Sequence, residues 1–353
     1  MNHFSLPLVL ALVAVATSAA SLTVVVRSWA IRRSLLVHPS ERCSHTIPTP
    51  HGGGIAIAFV SISLGLMFSV LDWLPDYSML AFMLLGLAMV ALGVWDDFGD
   101  VSPRLRLLAH FIVVGFGMAS IPSLPVLSMF GVEVDSSATF LMWPLFAVCW
   151  VWLINLYNFM DGIDGLAALQ ALMLFAGMAF NFWYMGQVNW SWICLFMLAA
   201  VLGFTLLNWP PAKIFMGDGG SGFLGFVIGF MMLLSASLTH VSMWSWIILL
   251  TLFISDATTT LFIRLITGQN IMKAHRLHAY QKLTDRFGSH KKVTLGFGVV
   301  MLVVLLPCSI VANVYPHSGP FVFGSLFLVF SGVAGWLVGA GRLSGTGNVG
   351  SYD

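Results

Sequence analysis

The sequence predicts an all-α integral membrane protein that crosses the bilayer many times. Of its 353 residues, 59% are hydrophobic and only 8% are charged, and the mean hydropathy is +0.94. A soluble domain carries roughly 25% charged residues, so this chain has too few charges to cover a water-facing surface. The net charge of +1 also provides no basic field for nucleic acid. Soluble enzymes and nucleic-acid-binding proteins are therefore excluded.

About eleven apolar segments have the length of membrane-spanning helices, because a bilayer core of about 30 Å requires about 20 residues per helix. No Lys or Arg precedes the first segment, whereas Arg32 and Arg33 follow it. A cleaved signal peptide carries its positive charge first, so we expect a retained first helix with its N-terminus outside. In chain order the predicted spans are 6–30, 53–71, 77–95, 107–121, 141–157, 166–185, 190–208, 221–238, 243–266, 293–314 and 321–340.

The distribution of positive charge predicts the orientation. With the N-terminus outside, all fifteen Lys and Arg residues fall in inner loops or at inner helix ends, as the positive-inside bias requires. One helix more or fewer would invert this pattern downstream, so we expect an odd number of spans and a cytosolic C-terminus. The predicted cytosolic loops are about 31–52, 96–106, 158–165, 209–220 and 267–292.

No composition shift divides the chain, and residues 1–353 are expected to form a single transmembrane domain. In the predicted outer loop 122–140, apolar and acidic residues alternate at positions 132–135. This alternation predicts a small β-hairpin.

Acidic and amide side chains are concentrated at the predicted inner face. An Asp at the bilayer centre costs roughly 2.5–3.5 kcal/mol, and secondary transporters usually hold their polar sites near the midplane. Placement at one face favours chemistry on a cytosolic substrate. A transporter or lipid flippase is the alternative, followed by a non-catalytic scaffold. The residues are Asp96, Asp97, Asn155, Asn158, Asp161, Asp164 and Asp218.

The spacing of the central four predicts a cation site. The four residues recur every three positions: Asn155, Asn158, Asp161 and Asp164. On a helix, each side chain would therefore point about 60° away from the previous one around the helix axis. Neighbouring members can converge on one ligand, and the adjacent glycines favour a break in the helix. Carboxylates with amide oxygens suit Mg²⁺, which takes one or two carboxylates plus substrate phosphate oxygens. Alternatively, Asp164 alone caps the sixth span.

A glycine-rich segment from Gly217 to Ser221 opens the eighth predicted span. Glycines allow a phosphate to approach the backbone, and a helix N-terminus favours anions. Next to the acidic residues, this segment indicates a metal–diphosphate site.

At these residues the sequence resembles the polyprenyl-phosphate N-acetylhexosamine-1-phosphate transferases of glycosyltransferase family 4. The resemblance runs in order from about His38 to His290, from the first inner loop, with Ile47 to Gly54, through the acidic residues and the glycine segment to the His/Arg loop. The stretch from Ala274 to Gln281 resembles the branch that initiates O-antigen and related surface polysaccharides. The resemblance implies transfer of N-acetylhexosamine-1-phosphate from a UDP-sugar to polyprenyl (undecaprenyl) phosphate, with release of UMP, at the cytosolic face of the inner (plasma) membrane.

The resemblance also implies roles for individual residues. Asp218 and Asn158 would bind Mg²⁺, with Mn²⁺ as a substitute. Asp96 would place or deprotonate the lipid phosphate, assisted by Asp97, and both a direct displacement and a covalent aspartyl intermediate are open. The remaining catalytic candidates are Asp161 and Asp164, and the substrate-binding candidates are Asn155, Gly217, Ser221, His275, Arg276 and His278.

Some assignments have two interpretations. Asp256, deep in an apolar segment, either pairs with Arg264 or faces a polar cavity. Residues of the first inner loop either approach the site or contact lipid headgroups; they are His38, Arg42, His45 and His51. The implied partners are polyprenyl phosphate, UDP-N-acetylhexosamine and membrane lipids, without nucleic acid, and a homodimer is left open.

Overall fold

The computed structural model describes residues 6–37, 48–99, 101–125, 127–129, 132–134, 139–270 and 275–343. These residues are almost entirely helical, which confirms the all-α membrane fold. The first seven helices are α1 (Leu6–Arg32), α2 (Gly54–Val70), α3 (Asp76–Gly99), α4 (Pro103–Ala119), α5 (Thr139–Phe159), α6 (Leu166–Tyr184) and α7 (Val188–Asn208). The remaining helices are α8 (Asp218–Leu238), α9 (Met243–Leu249), α10 (Thr251–Ile266), α11 (Ala279–Phe287), α12 (His290–Val300), α13 (Leu306–Val314) and α14 (Gly319–Leu343).

Every predicted span coincides with a helix or with consecutive helices. Among the described residues, eight helices are long and apolar enough to cross a membrane, and the bent pair α9–α10 is a ninth candidate. Helices α2 and α4 have 17 residues each, or about 26 Å at 1.5 Å per residue, which is shorter than an average bilayer core. The total of eleven spans and the orientation therefore stay predictions.

Two predicted spans are not continuous α-helices. Helices α9 and α10 meet at an angle of 66°, and buried Gln170 of α6 donates its amide to the Leu249 carbonyl beside the break (2.9 Å). This bond satisfies a backbone acceptor that would find no water inside a membrane. Helix α12 continues through a π-helical turn, Met301–Leu305, into α13, where Pro307 has no amide hydrogen to donate. The sequence predicted both spans but neither interruption.

Two short antiparallel hairpins lie between helices. Strand β1 (Leu36–Val37) pairs with β2 (Thr49–Pro50), and β3 (Leu127–Met129) pairs with β4 (Val132–Val134). The second pair confirms the predicted hairpin. The Phe215 amide donates to the last carbonyl of β2 (2.9 Å), which ties the loop after α1 to the segment before α8.

Helix α8 is almost completely buried and packs against α2, α3 and α5. Glycines allow its first turn to touch two neighbouring backbones. A Cβ on Gly93 of α3 would lie 2.4 Å from the Gly219 Cα, and a Cβ on Gly54 of α2 would lie 2.3 Å from the Gly220 Cα. Any larger side chain would push these helices apart. The contacts place the C-terminal end of α3 against the N-terminal end of α8, where the acidic residues lie.

Candidate active site

The first backbone amides of α8 are bound by a carboxylate from α3. Asp97 Oδ1 accepts a hydrogen bond from the Asp218 amide (3.0 Å), and its Oδ2 lies 3.5 Å from the Gly219 nitrogen. The next two amides donate to the Gly217 carbonyl (both 3.0 Å). Carboxylates are stabilised at a helix N-terminus by these donors and by the helix dipole. We expected a phosphate at these amides, but in this structure each of them already has a protein acceptor.

The Asp218 side chain connects α8 to α5. Asn158 Nδ2 donates to Asp218 Oδ1 (2.8 Å) and to Ser221 Oγ (3.1 Å). Ser221 is fully buried and donates to the Gly217 carbonyl (3.2 Å). The two predicted metal ligands, Asn158 and Asp218, are therefore adjacent, and the structure places Ser221 behind them as a hydrogen-bonding support.

Asp96 and Arg106 form an ion pair beside Asp218. The Arg106 guanidinium contacts Asp96 Oδ2, and its Nη1 lies 3.6 Å from Asp218 Oδ2. The Asp96 side chain is only 8% exposed, and its Oδ1 accepts a hydrogen bond from the Val101 amide (3.2 Å). Since a buried carboxylate needs a partner charge or hydrogen-bond donors, Arg106 stabilises this end of α3.

A small cavity of about 20 Å³ lies among these residues. Asn155 is on its wall, where its Nδ2 donates to the Val151 carbonyl (2.8 Å) and lies 3.4 Å from His110 Nδ1. The structure thus brings Asp96, Asn155 and Asn158 together. The polar residues that line this small cavity are Asp96, Arg106, His110, Asn155, Asn158 and Asp218.

The segment between α5 and α6 carries the other two predicted carboxylates. The helix breaks here as predicted, and Gly165 adopts a φ of +73° before α6 begins. Asp164 does not cap α6: its Oδ2 accepts the Ala212 amide (3.0 Å), and its Oδ1 lies 3.2 Å from His290 Nδ1. Asp161 is half-buried and accepts no hydrogen bond from the described residues. It is therefore the carboxylate most available to a ligand.

These segments surround a second, larger cavity of about 290 Å³, which we call the acidic cavity. No Lys or Arg side chain of the described residues lines it, so its carboxylates outnumber its positive charges. The residues that line the acidic cavity are Val37, His51, Asp97, Asp161, Gly162, Ile163, Asp164, Asn208, Phe215, Gly217, Asp218, Gln281 and His290.

Burial and the crowding of carboxylates raise the pKa of Asp161 well above its ordinary value. Burial is the main cause, and the negative charges of Asp218, Asp97 and Asp164 add to it. Burial also lowers the pKa of His51, against the opposing charge of Asp218. The His51 Nδ1 is buried and has no hydrogen-bond partner among the residues that the structure describes. Bound cations change local pKa values strongly, so a cation in this cavity would favour the ionised carboxylates.

The sequence pattern described as Glycosyl transferase family 4 matches residues 79–236. This stretch includes Asp97, Asp161, Asp164 and Asp218, the four carboxylates that line the acidic cavity. Over these residues the chain is similar to glycosyl transferase family 4.

Curated relatives match most of the length of this chain. The probable undecaprenyl-phosphate N-acetylglucosaminyl 1-phosphate transferase of Bacillus subtilis is 29% identical over 314 residues, which cover 88% of this chain and 84% of the relative. The undecaprenyl-phosphate alpha-N-acetylglucosaminyl 1-phosphate transferase of Escherichia coli is 28% identical over 316 residues, with coverages of 86% and 83%. The phospho-N-acetylmuramoyl-pentapeptide-transferase of Streptococcus pneumoniae is 27% identical over 286 residues, with coverages of 74% and 84%.

The donors at the acidic cavity fit a hard divalent cation shared with a substrate. Mg²⁺ usually binds one or two carboxylates and completes its shell with water and substrate phosphates. Within the described ranges, no three His, Cys, Asp or Glu side chains form a metal site made of protein alone. Asp218 lines both cavities, and Asp161 has no described hydrogen-bond donor. The carboxylates of Asp161 and Asp218 and the amide oxygen of Asn158 would supply the few protein ligands that such a coordination shell needs.

The His/Arg loop lies next to the acidic cavity, but its predicted substrate residues do not line that cavity. Arg276 pairs with Asp285 (2.6 Å). His278 is buried, and the His275 ring lies against it with a centroid distance of 4.9 Å. Gln281 forms the cavity wall instead. The substrate roles of His275, Arg276 and His278 stay predictions.

Five polar residues that line the two polar cavities were not selected from the sequence: Arg106, His110, Asn208, Gln281 and His290. Arg106 lies ten residues after Asp96, Gln281 lies three residues after His278, and His290 begins α12. All of them except Gln281 lie near a predicted inner helix end, and Gln281 ends the stretch from Ala274 that carries the family resemblance; these were the signals that could have found them. Of the four candidates in the first inner loop, His51 lines the acidic cavity; outside the described residues lie His38, Arg42 and His45.

Proposed function

We propose that this chain is a family 4 transferase that moves N-acetylhexosamine-1-phosphate from a UDP-sugar to polyprenyl phosphate, with undecaprenyl phosphate as the lipid. The observation that carries this proposal is the meeting of Asp97, Asp161 and Asp218, from three separate segments, at one cavity. The relatives from Bacillus subtilis and Escherichia coli, which are named as undecaprenyl-phosphate N-acetylglucosaminyl 1-phosphate transferases, support this reaction.

In the direct form of the reaction, a lipid phosphate oxygen attacks the phosphorus that carries the sugar. A new bond forms between that oxygen and the phosphorus. The bond from the phosphorus to the UMP oxygen breaks, and UMP leaves with the electron pair. The bond between the sugar and its oxygen is untouched, so the anomeric configuration is retained. Catalysis of this kind depends on positioning and on electrostatic stabilisation of the transferred group.

Asp218 and Asn158 are the residues that we propose to hold Mg²⁺, with Mn²⁺ as a substitute. Such an ion supplies charge neutralisation at a diphosphate. The hydrogen bond of 2.8 Å between these side chains orients Asp218 between the two cavities. Asp161 lines the acidic cavity beside them and offers a further carboxylate to the ion or to its bound water.

Asp96 and Arg106 are placed to orient the lipid phosphate. Arg106 contacts Asp96 and lies close to Asp218, and an arginine binds phosphate with a planar fork of donors. The second pKa of a phosphate monoester is about 6, so much of the nucleophile is already a dianion near neutrality. Asp96 therefore contributes chiefly by positioning, while Asp97 holds the first turn of α8.

An apolar cavity of about 300 Å³ supports a long isoprenoid acceptor. On α5, Leu153 and Leu156 line this apolar cavity, whereas Asn155 and Asn158 line the small polar one. One helix thus presents an apolar surface and a polar surface within two turns. The other residues that line the apolar cavity are Leu145, Phe146, Cys149, Trp150, Trp152, Met232, Leu233, Met243, Trp244, Ile247, Leu250, Ile254 and Phe323.

The reaction is tested with purified protein, undecaprenyl phosphate, Mg²⁺ and a panel of UDP-N-acetylhexosamines. We expect a lipid-diphosphate-linked sugar and an equal amount of UMP, and we expect EDTA to abolish both. Absence of UMP release with every sugar would contradict the proposal. Uptake of an intact UDP-sugar or flipping of the lipid in proteoliposomes would favour the transporter or flippase.

We further propose that the acidic cavity faces the cytosol in the inner (plasma) membrane and that the product initiates O-antigen or a related surface polysaccharide. The concentration of Lys and Arg in the predicted inner loops supports this orientation. Single cysteines at positions 137 and 289, in a chain without its native cysteines, test it. We expect an impermeant thiol reagent to label position 137 from outside and position 289 only after permeabilisation. The opposite pattern would reverse the orientation.

A further inference from the structure

A buried carboxylate in α10 accepts hydrogen bonds from the start of α11. Asp256 is only 3% exposed. Its Oδ1 accepts the Ala279 amide and its Oδ2 accepts the Tyr280 amide (both 2.9 Å). Oδ1 also lies 3.2 Å from His278 Nδ1 and accepts the Thr260 hydroxyl (3.2 Å). One side chain therefore binds three consecutive residues of a separate segment.

Asp256 provides more acceptor oxygens and more charge than a simple helix cap requires. Ionisable residues inside apolar membrane helices are costly and typically mark functional positions. A serine or threonine would supply one acceptor oxygen for a helix start. Asp256 supplies two oxygens and a charge, and these bind two backbone amides and an imidazole at once.

The segment held by Asp256 packs directly on the loop that carries Asp161. The Tyr280 hydroxyl donates to the carbonyl of Phe159, the last residue of α5 (3.0 Å). A Cβ on Gly162 would lie 2.0 Å from the same hydroxyl oxygen. Tyr280 is 1% exposed, so its ring has little freedom to move away. The position of Tyr280 therefore constrains the backbone on both sides of Asp161.

The residue after Tyr280 reaches the acidic cavity itself. Gln281 lines that cavity, and its Oε1 accepts the His278 amide (3.2 Å). This bond belongs to the same turn that Asp256 binds. Consecutive residues of one helical turn thus connect Asp256 to the Asp161 loop and to a cavity wall.

We infer that Asp256 is a positioning residue: through Tyr280 and Gln281 it fixes the Asp161 loop in the geometry that transfer requires. The inference rests on the proposed function, since it concerns the same site. Asp256 itself does not line the acidic cavity, so it acts through its neighbours and not on the substrate.

The test compares Asp256→Ala and Asp256→Asn with the control Thr260→Val. The control removes one donor to Asp256 but leaves the start of α11 bound. Two measurements are made on the full-length protein in detergent. Hydrogen–deuterium exchange of the peptide that covers α11 is measured without substrate, and kcat and KM are measured with the most active UDP-sugar.

We expect Asp256→Ala to speed exchange at the start of α11 by at least tenfold and to lower kcat by at least tenfold, with KM for the UDP-sugar within threefold of wild type. Asp256→Asn keeps one acceptor oxygen, so both effects should be smaller. Thr260→Val should stay within twofold of wild type in both measurements. Faster exchange with a wild-type kcat, or unchanged exchange, would overturn the inference.

A merely structural role predicts a different outcome, in which less protein folds but each folded molecule keeps its kcat. If Asp256→Ala does not fold, Tyr280→Phe replaces it, because this change removes only the hydroxyl contact with Phe159. We expect a threefold to tenfold lower kcat at an unchanged melting temperature, and a wild-type kcat in this variant would refute the link. If the wild type transfers no sugar, the proposed function fails, while the exchange measurement still decides whether Asp256 holds α11.

Discussion

The acidic cavity and the apolar cavity have nearly the same volume, about 290 and about 300 Å³, but opposite chemistry. Four carboxylates line the acidic cavity, and all of them come from helix ends or from the loop between α5 and α6. The apolar cavity is lined only by apolar side chains, most of them from the middle of helices. Helix ends leave backbone donors free, and carboxylates there cost less than at a bilayer centre.

The two substrates of the proposed reaction would therefore bind to different surfaces of one helix bundle. Helix α5 contributes to both, with Leu156 on the apolar side and Asn158 on the polar side. A diphosphate and its cation suit the first cavity, and an isoprenoid chain suits the second. If this division is correct, changes in one cavity should affect one substrate and leave the other unaffected.

The largest effect is expected from Asp218→Asn. The amide keeps the shape of the side chain but removes the charge that would face the cation. We expect kcat to fall by about 10²–10³-fold, the range typical for loss of a single electrostatic stabiliser. The measurement is the initial rate of UMP release at saturating substrates.

The matched control is Asp76→Asn, since Asp76 begins the same helix that ends near Asp97. It should retain wild-type turnover. Wild-type turnover in Asp218→Asn would contradict the proposal that the charge of Asp218 stabilises a cation. It would also contradict the assignment of the diphosphate to the acidic cavity.

A smaller effect is expected from Gly93→Ala, which tests whether helix contact positions the acidic cavity. The added methyl group would collide with the Gly219 backbone. Overpacking of this kind typically costs 1–3 kcal/mol. We expect a melting temperature several degrees lower and a kcat about tenfold lower, because Asp97 and Asp218 move apart.

Gly115→Ala in α4 is the control, because a Cβ there meets no atom within 4 Å. It should be neutral in both measurements. Equal effects of the two substitutions would mean that the close approach of α3 and α8 is unimportant.

Filling the apolar cavity should change only the lipid. Cys149 lines this cavity, and Cys149→Trp should raise KM for undecaprenyl phosphate about threefold to tenfold while leaving KM for the UDP-sugar unchanged. Val148→Trp is the control, since Val148 is 55% exposed and does not line the cavity. A parallel rise in both KM values would show that the two cavities are not separate.

The smallest effect concerns pH and the loop beside the acidic cavity. Burial lowers the pKa of His275 from 6.5 to about 4, with the neighbouring positive charges of His278 and Arg264 adding to it. The fold thus favours neutral His275, and this stabilisation is full above pH 6.5 and is lost as pH falls through about 4.

We therefore expect the melting temperature to fall between pH 7 and pH 5, and to fall less in His275→Asn. The same substitution at exposed His240 should leave the pH dependence as in wild type. An equal pH dependence in His275→Asn and wild type would contradict this explanation.

The sequence predicted the helices well because apolar length is a local property. It also placed Asp97, Asp161 and Asp218 on one face, since helices that alternate in direction return to the same side at known intervals. It did not predict Arg106 and Gln281 at the site, because the direction of a side chain depends on how its helix packs.

Asp256 shows the same limit. Its position in an apolar segment was evident, but two partners were open, Arg264 or a polar cavity. The actual donors at the start of α11 lie more than twenty residues away, and only the docking of α11 onto α10 brings them together. The bend between α9 and α10 likewise depends on Gln170 from α6.

By itself the sequence determined that this chain is a helical membrane protein with acids at helix ends, because composition and spacing limit what a chain can place in a bilayer. The transferase type came from the resemblance of its motifs to a known family. The tertiary structure decided which of those acids share a cavity, which are bound by backbone amides and which positive charge accompanies them. These outcomes depend on contacts such as that between Gly93 and Gly219, where two backbones touch, and a contact of this kind leaves no periodic signal along the chain.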